Sequence, residues 1–367
     1  MLGFEDDLGP KRVIHVHEPG LGLSGVLVVD NVAAGPSIGG LRMAEDVTVN
    51  ECFRLARAMT LKNAAAGLPH GGGKSVLRAN PKMLREDKES LIRAFACALR
   101  DVEDYIFGPD MGTDEVCMAW VKDEIGRSVG LPREVGGIPL DELGATGFGV
   151  VHAIEAALPE MKFELSGARV AVQGFGAVGL HAARFLAEKG AVLVAASDSR
   201  GAVLNDRGLD VAALIAAKRG GAPVAEFDGG TPVAKEAVIG VECEIWIPSA
   251  RPDVIDMNNV EQMNTKLVAQ GANIPITQKA EQRLHEKGVL ILPDFIANAG
   301  GVICAAMEYR GAGEKAAFDA IAQKIRRNVE ELLTRAKNGG VTPRRAAVDM
   351  AQDRVRAAMK TRRWSIY

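Results

Sequence analysis

The chain has 367 residues, enough for two domains with separate cores, and its 47% apolar and 25% charged content is that of a globular protein. A net charge of −3 and the lack of a basic stripe with interleaved aromatics argue against a nucleic-acid partner. The five cysteines (Cys52, Cys97, Cys117, Cys243, Cys304) form no CxxC pair, residues 1–7 lack a signal-peptide core, and no apolar run reaches the ~18–20 residues of a bilayer span, so reduced thiols in a cytoplasmic protein are expected, with no metal site.

Residues 12–18 and 25–31 read as strands, β-branched and partly alternating, around a Pro-Gly turn. His15 and His17 share a strand face, but without a third ligand nearby they read as surface or sheet-packing residues. Gly35 to Met43 is a glycine-rich approach segment. A helix over roughly residues 48–66 follows, with Thr48 as its N-cap and Glu51 completing a capping box. Leu55, Met59 and Lys62 recur at helical spacing, which sets Lys62 near the edge of the apolar face, where an ordinary exposed lysine would also sit. Gly67 and Pro69 break the helix. Gly71-Gly72-Gly73 then precede an apolar strand at Val76 and Leu77, and Lys74 sits behind the glycines. Each glycine costs chain entropy, so the expected return is close approach of a ligand to the backbone.

Residues 86–104 read as a second amphipathic helix closed by an acidic cluster. Tyr105 to Pro109 is a short strand ending in a loop that carries Asp110 and Asp114. Asp114 suits the N-cap of a helix from Val116 to Ile125, whereas Asp110 is either a turn residue or a carboxylate at a strand end, where catalytic acids often sit. Residues 131–139, dense in proline and glycine, are the candidate hinge, and a helix with Thr146 near its start follows.

Residues 168–198 carry the second strong signal. A strand over residues 168–173 leads into Gly174-Phe175-Gly176-Ala177-Val178-Gly179, then a helix over 180–189 and a strand over 191–196, with Asp198 closing the unit. This is the context that a GxGxxG dinucleotide fingerprint requires. The glycines let a pyrophosphate approach the helix N-terminus. Asp198 can accept from the adenosine ribose, which favours NAD, while Ser199 and Arg200 beside it leave NADP open. Strands over 245–250, 267–273 and 289–294 end in small or polar residues, and open α/β sheets bind ligands at such ends. Residues 298–308 are glycine-rich before a helix, and 312–338 and 344–361 read as long amphipathic helices. Gly73-Lys74-Ser75 ends like a P-loop, but that motif would need its first glycine at Leu68, and a helix rather than a strand precedes it.

With these motifs in place, the chain resembles the glutamate/leucine/phenylalanine/valine dehydrogenases nearly end to end. The segments that carry the resemblance are Gly35-Pro36 to Met43, Met59 to Lys74, Pro109-Asp110, Ala145 to Val150, Gln173 to Gly179, Gly271-Ala272-Asn273 and Pro293 to Val302. Length and the N-terminal third look more like the leucine and phenylalanine members; some later segments look more like glutamate dehydrogenases. The resemblance implies a two-domain α/β fold: a substrate and oligomerisation domain (1–132 with 331–367) and a Rossmann, doubly wound dinucleotide domain (133–330), separated by a cleft. It implies NAD(P)-dependent, reversible oxidative deamination of an L-amino acid to a 2-oxo acid and ammonia, in a homo-oligomer. It assigns Lys74 as the catalytic lysine, Asp110 as the acid/base and Lys62 as the partner of the substrate carboxylate. Ile38, Gly39, Gly40, Asn273, Asn298, Val302 and Ala305 join the substrate set. The cofactor set is Thr146, Gly174 to Gly179, Asp198, Ser199 and Ala250, again with Asn273 and Asn298. Where glutamate members hold the side-chain carboxylate with a lysine and a serine, this chain has Ile38 and Ala305, so an apolar side chain is expected. Glutamate, a specialised amino acid or amine, and a non-catalytic nucleotide-binding regulator are the alternatives; retention of Lys62, Lys74 and Asp110 argues against the last.

Overall fold

The computed structural model describes Gly3 and residues 5–361. By internal contacts the chain forms two compact units, unit 1 (Met1–Leu140, Val302–Ala320, Val348–Tyr367) and unit 2 (Asp141–Gly301, Ile321–Ala347). The chain therefore crosses at 140/141, 301/302, 320/321 and 347/348, where the sequence reading set crossings at 132/133 and 330/331.

Unit 1 runs β1 (Arg12–Glu18), β2 (Leu23–Asn31), β3 (Ser37–Ala44), α1 (Val49–Ala65), β4 (Gly71–Arg78), α2 (Arg85–Ala98), β5 (Tyr105–Pro109) and α3 (Glu115–Ile125). Its five strands lie in the order β1-β2-β4-β3-β5. β1, β2 and β4 pair antiparallel, while β3 pairs parallel with both β4 and β5. Alternation along β2 builds two cores. Val26 and Val28 meet Cys52, Phe53 and Ala56 of α1 on one face. Leu23, Leu27 and Val29 meet the apolar stripes of α2 and α3 on the other.

The two glycine-rich segments are strands rather than loops. Alternation was hidden in β3 and β4 because glycines occupy the positions where a strand would show apolar side chains. α2 stops at Ala98, short of the expected 104. Asp104, from the acidic cluster, is buried and pairs with Lys11 at 2.9 Å and Arg12 at 3.3 Å.

Unit 2 begins within the short α4 (Leu140–Leu143) and continues with α5 (Ala145–Ala157), β6 (Arg169–Gln173), α6 (Ala177–Glu188), β7 (Val192–Asp198), β8 (Gly201–Leu204), α7 (Val211–Arg219), β9 (Thr231–Val233), β10 (Cys243–Pro248), β11 (Thr265–Ala269), α8 (Gln278–Glu286), β12 (Leu290–Leu292) and α9 (Asp294–Ala297). Then α10 (Gly300–Tyr309), α11 (Glu314–Gly339) and α12 (Pro343–Thr361) each carry the chain from one unit into the other. The sheet order is β12-β11-β10-β6-β7-β8-β9, parallel from β12 to β7, with β8 and β9 added antiparallel. The strand order reverses between β6 and β10, which makes the carboxyl ends of those two strands the topological switch point. α6 starts at Ala177, three residues before the expected Leu180, because Gly176 itself is the N-cap. Among the described residues, no helix is long and apolar enough to cross a membrane.

Candidate active site

In unit 1 the parallel register of β3 and β4 (Ile38 opposite Gly72, Arg42 opposite Val76) lines up Ile38, Gly40 and Arg42 with Gly72, Lys74 and Val76 on the α1 face. Lys74, only 5% exposed, donates from Nζ to Asp110 Oδ2 at 2.8 Å. Arg42 Nε donates to the same oxygen at 2.7 Å, and its Nη1 pairs with Glu51. A Cβ on Gly40 would stand 2.7 Å from Asp110 Cβ and 3.1 Å from Lys74 Nζ, so glycine here makes room for the ion pair. Burial pulls the Lys74 ammonium below its ordinary value; Asp110 opposes that shift and Arg42 adds to it. Burial pushes the Asp110 carboxyl up, but Lys74 and Arg42 together outweigh it and hold it below the usual range. The unit thus presents a buried lysine primed to lose its proton, beside a carboxylate that stays ionised.

The surroundings fix this geometry. Thr113 Oγ1 accepts from Asp110 N–H at 3.0 Å and donates to the Leu41 carbonyl at 2.8 Å, which pins the loop. Tyr105 donates its hydroxyl to Gly39 O at 2.8 Å. Asn63 Nδ2 donates to Gly71 O at 2.6 Å and lies 3.3 Å from Ile38 O, tying β4 to β3. Lys62 sits half-buried in the last turn of α1. Ile38 is buried in β3, Ala305 is buried on α10, and Val302 is half-buried on the same helix.

Two expectations change on contact with the structure. A Cβ on Gly71 would lie 1.7 Å from Asn31 O, on Gly72 2.0 Å from Thr60 N, and on Gly73 2.9 Å from Tyr105 Cε2. The close approach these glycines permit is that of the protein's own backbone and rings, not of a ligand. Thr48 Oγ1 does accept from Glu51 N–H at 3.1 Å, but the Glu51 carboxylate is taken by Arg42, so the capping box is half made. Asp114 caps α3, its Oδ1 accepting from Cys117 N–H at 2.9 Å, and that bond accounts for its position. His15 and His17 are exposed on β1, and no cluster among the described residues could hold a metal ion.

In unit 2 a cavity of about 500 Å³ opens at the switch point, beneath the ends of β6, β7 and β10. The fingerprint glycines divide the work. Gly174 adopts φ 95°, and a Cβ there would strike Ala250 N at 2.7 Å; one on Gly179 would strike Gly174 O at 2.0 Å. A Cβ on Gly176 would meet nothing within 4 Å, so its bare backbone faces open space at the cavity wall. No side chain caps the N-terminus of α6, which leaves the first-turn N–H groups of Ala177, Val178 and Gly179 for an anion. Phe175 is buried, its N–H tied to Ser197 O at 2.8 Å. These features fit the pyrophosphate of a dinucleotide. Asp198 and Ser199 line the cavity at the end of β7. Asn298 Nδ2 donates to Asn273 Oδ1 at 2.9 Å, so the structure brings these two predicted residues together. Thr146 is half-buried in the first turn of α5.

Sequence reasoning passed over Arg42, Tyr105 and Lys218. Reading β3 as a strand would have put Arg42 on the face of Gly40. Nothing local in the sequence points to Lys218, which reaches Asp198 from α7.

Residues 136–363 match the model of the Glutamate/Leucine/Phenylalanine/Valine dehydrogenase family, and residues 10–127 match that family's N-terminal dimerisation domain. The chain belongs to this family. It is an amino acid dehydrogenase, an oxidoreductase acting on CH–NH2 donors with NAD(P). The dehydrogenase is 38% identical over 91% of its chain to a glutamate dehydrogenase of Aeropyrum pernix, covering 85% of that protein. It is 35% identical over 99% to an NADP(+)-dependent glutamate dehydrogenase of Pyrobaculum calidifontis, covering 95%. Among solved structures it matches the hetero-hexameric glutamate dehydrogenase of Thermus thermophilus in its Leu-bound form (TM-score 0.85, 30% identity, 98% of this chain and 91% of that one). It also matches the L-tryptophan dehydrogenase of Nostoc punctiforme (0.76, 26%, 96% and 98%).

Proposed function

We propose that this dehydrogenase oxidises an L-amino acid with an apolar side chain: amino acid + NAD(P)+ + H2O ⇌ 2-oxo acid + NH4+ + NAD(P)H + H+. The observation that carries the reaction is the buried Lys74–Asp110 pair at 2.8 Å. When bound, the nicotinamide supplies the acceptor for the hydride that leaves Cα. The resulting imine must be attacked by water; burial lowers the Lys74 pKa, so that once it has given up its proton Lys74 can remove the proton from that water. Asp110, whose Oδ2 is held by two cations, has Oδ1 left to carry protons to and from the departing ammonia. Lys62 holds the α-carboxylate. Gly176 and the first turn of α6 hold the pyrophosphate, and Thr146, Asn273 and Asn298 belong to the nicotinamide side.

For the side chain, Ile38 is 4% exposed and stands where glutamate-specific members have a lysine. A carboxylate placed against Ile38 and Ala305 would lose its ion-pair partner and keep a desolvation cost of roughly several kcal/mol. Glutamate is the second reading, supported by the names of the Aeropyrum, Pyrobaculum and Thermus relatives. The test is NAD(P)H formation with leucine, valine, phenylalanine, tryptophan and glutamate, each with NAD+ and NADP+. Higher kcat/KM for one of the apolar substrates, and a gain for glutamate in Ile38→Lys, is the expected result. Glutamate as the best substrate of the wild type would sink the apolar reading. A homo-oligomer, supported by the match to a dimerisation domain, is checked by light scattering in the same preparation.

A further inference from the structure

Among the described residues, two that are not glycine take positive φ, Asp253 at 53° and Ile274 at 43°. They are joined, Asp253 N–H donating to Ile274 O at 3.0 Å. For a β-branched residue this backbone region is strained, and Pro275 behind it biases residue 274 further toward an extended conformation. Packing offers little return, since Ile274 is 49% exposed. Such strain persists only where the surroundings over-determine it, and here they do. The buried Asp294 accepts from Ile274 N–H at its Oδ2, at 2.8 Å, and takes Arg344 Nη1 at its Oδ1, at 3.0 Å. Arg344 is fixed in turn by Glu281 and Gln270, and Gln270 Oε1 also accepts from Asp294 N–H at 3.2 Å. Beyond the strained residue, Pro275 O accepts from Ile255 N–H at 3.1 Å; before it, the N–H groups of Gly271 and Ala272 both reach Pro248 O, at 2.9 and 2.8 Å. Asn273 therefore stands between pinned points. The four-residue α9 carries both clamps: Asp294 is its first residue, and Asn298, whose Nδ2 holds Asn273 Oδ1 at 2.9 Å, is its C-cap.

We propose that Asp294 is a positioning residue for the dehydrogenase: braced by Arg344, it holds Ile274 in the left-handed region and so fixes the Asn273 amide against Asn298 on the nicotinamide side. The proposal rests on the reading that places those two asparagines there. With Pro275 anchored, relaxing Ile274 to negative φ must be taken up at Asn273.

Titration calorimetry on the intact protein tests this with two ligands: ADP, which lacks the nicotinamide end, and whichever of NADH and NADPH binds the wild type more tightly. Asp294→Ala should weaken the reduced cofactor at least tenfold more than it weakens ADP. In an Ile274→Gly background, where residue 274 takes positive φ without steric cost, the same change should weaken the reduced cofactor less than threefold. A merely structural role for Asp294 would give no such rescue. Ile274→Gly should also melt at or above the temperature of Ile274→Val, which keeps the β-branch. If Asp294→Ala does not fold, Asp294→Asn, with the same volume and one acceptor oxygen, replaces it; the selective loss is then at least threefold and vanishes in the glycine background. Equal losses of both ligands, the same loss in both backgrounds, or a lower midpoint for Ile274→Gly than for Ile274→Val would overturn the proposal. Asn273→Ala separates it from the reading beneath. If Asn273→Ala weakens the reduced cofactor at least tenfold more than ADP while Asp294→Ala does not, the proposal falls alone. If Asn273→Ala weakens both ligands equally, the nicotinamide-side reading falls and takes the proposal with it.

Discussion

At the scale of single residues, Asp110 Oδ2 holds two cations, Lys74 Nζ at 2.8 Å and Arg42 Nε at 2.7 Å. Arg42 acts on both members of the pair, helping to lower the Lys74 pKa and to lower that of Asp110. If neutral Lys74 is the base, kcat/KM rises with pH as Lys74 loses its proton. Removing a neighbouring positive charge makes that proton harder to lose, so in Arg42→Gln the rise moves to higher pH, by about one unit, whereas Arg42→Lys stays near the wild type. A pH–rate profile on the preferred amino acid checks this. Lys74→Ala and Asp110→Asn should each cost about 100-fold or more in kcat. Lys74 was singled out by its place behind three glycines and Asp110 left open between a turn residue and a strand-end carboxylate; the role of each came from the family resemblance. Arg42 was not singled out, since its meaning comes from the pairing of β3 with β4, which brings together residues far apart in the chain.

At the scale of elements, the sequence located most helices and strands but misread what the glycines are for. Gly71, Gly72 and Gly73 belong to β4, and the room they leave is filled by Asn31, Thr60 and Tyr105. Close approach was the correct physical inference; only the occupant differs, and the occupant is set by tertiary packing. Gly72→Ala places a methyl 2.0 Å from Thr60 N and must push α1 off the sheet. A loss of about 3 kcal/mol is expected in urea denaturation. Gly176→Ala is the contrasting case: with no atom within 4 Å its stability should stay near wild type, while affinity for ADP falls because the added methyl occupies the ligand's path. β8 and β9, of four and three residues, were missed since strands so short show no period to read.

At the scale of the whole molecule, neither unit is a continuous piece of chain. The proline- and glycine-rich residues 131–139 lie just before the first crossing, at 140/141, while the later ones fall inside α10, α11 and α12, whose periodicity runs through without a break. α12 serves both units. Near its start Arg344 sits in unit 2, bonding Glu281 at 2.6 Å, Asp294 at 3.0 Å and Gln270 at 2.8 Å. Further on, Arg354 sits in unit 1 and donates to the Ala64 and Ala65 carbonyls at the end of α1. Arg344→Met would leave Glu281 and Asp294 buried without their cation, a loss of about 3–5 kcal/mol at neutral pH. Burial already raises the Glu281 carboxyl, and Arg344 opposes that shift. In the variant its folded-state pKa rises further above the unfolded one, so the neutral form is the stable one. That contribution is present below the unfolded pKa and is lost as pH rises through the folded pKa. The deficit relative to wild type should therefore shrink as pH is lowered from 7 to 5, which denaturation at the two values checks.

The contact from Arg354 to α1 also sets a clock on synthesis. Its partners Ala64 and Ala65 are made 290 and 289 residues earlier. At ribosomal speeds of about 5–20 residues per second, the end of α1 waits roughly a quarter of a minute to a minute for its cap. For most of that interval, once β5 has been made, the sheet of unit 1 is complete in sequence but lacks the segments from α10, α11 and α12 that belong to it. The nascent chain thus carries both cores of unit 1 in sequence well before the last segments of that unit are made, and closure of unit 1 is one of the last events in making the protein.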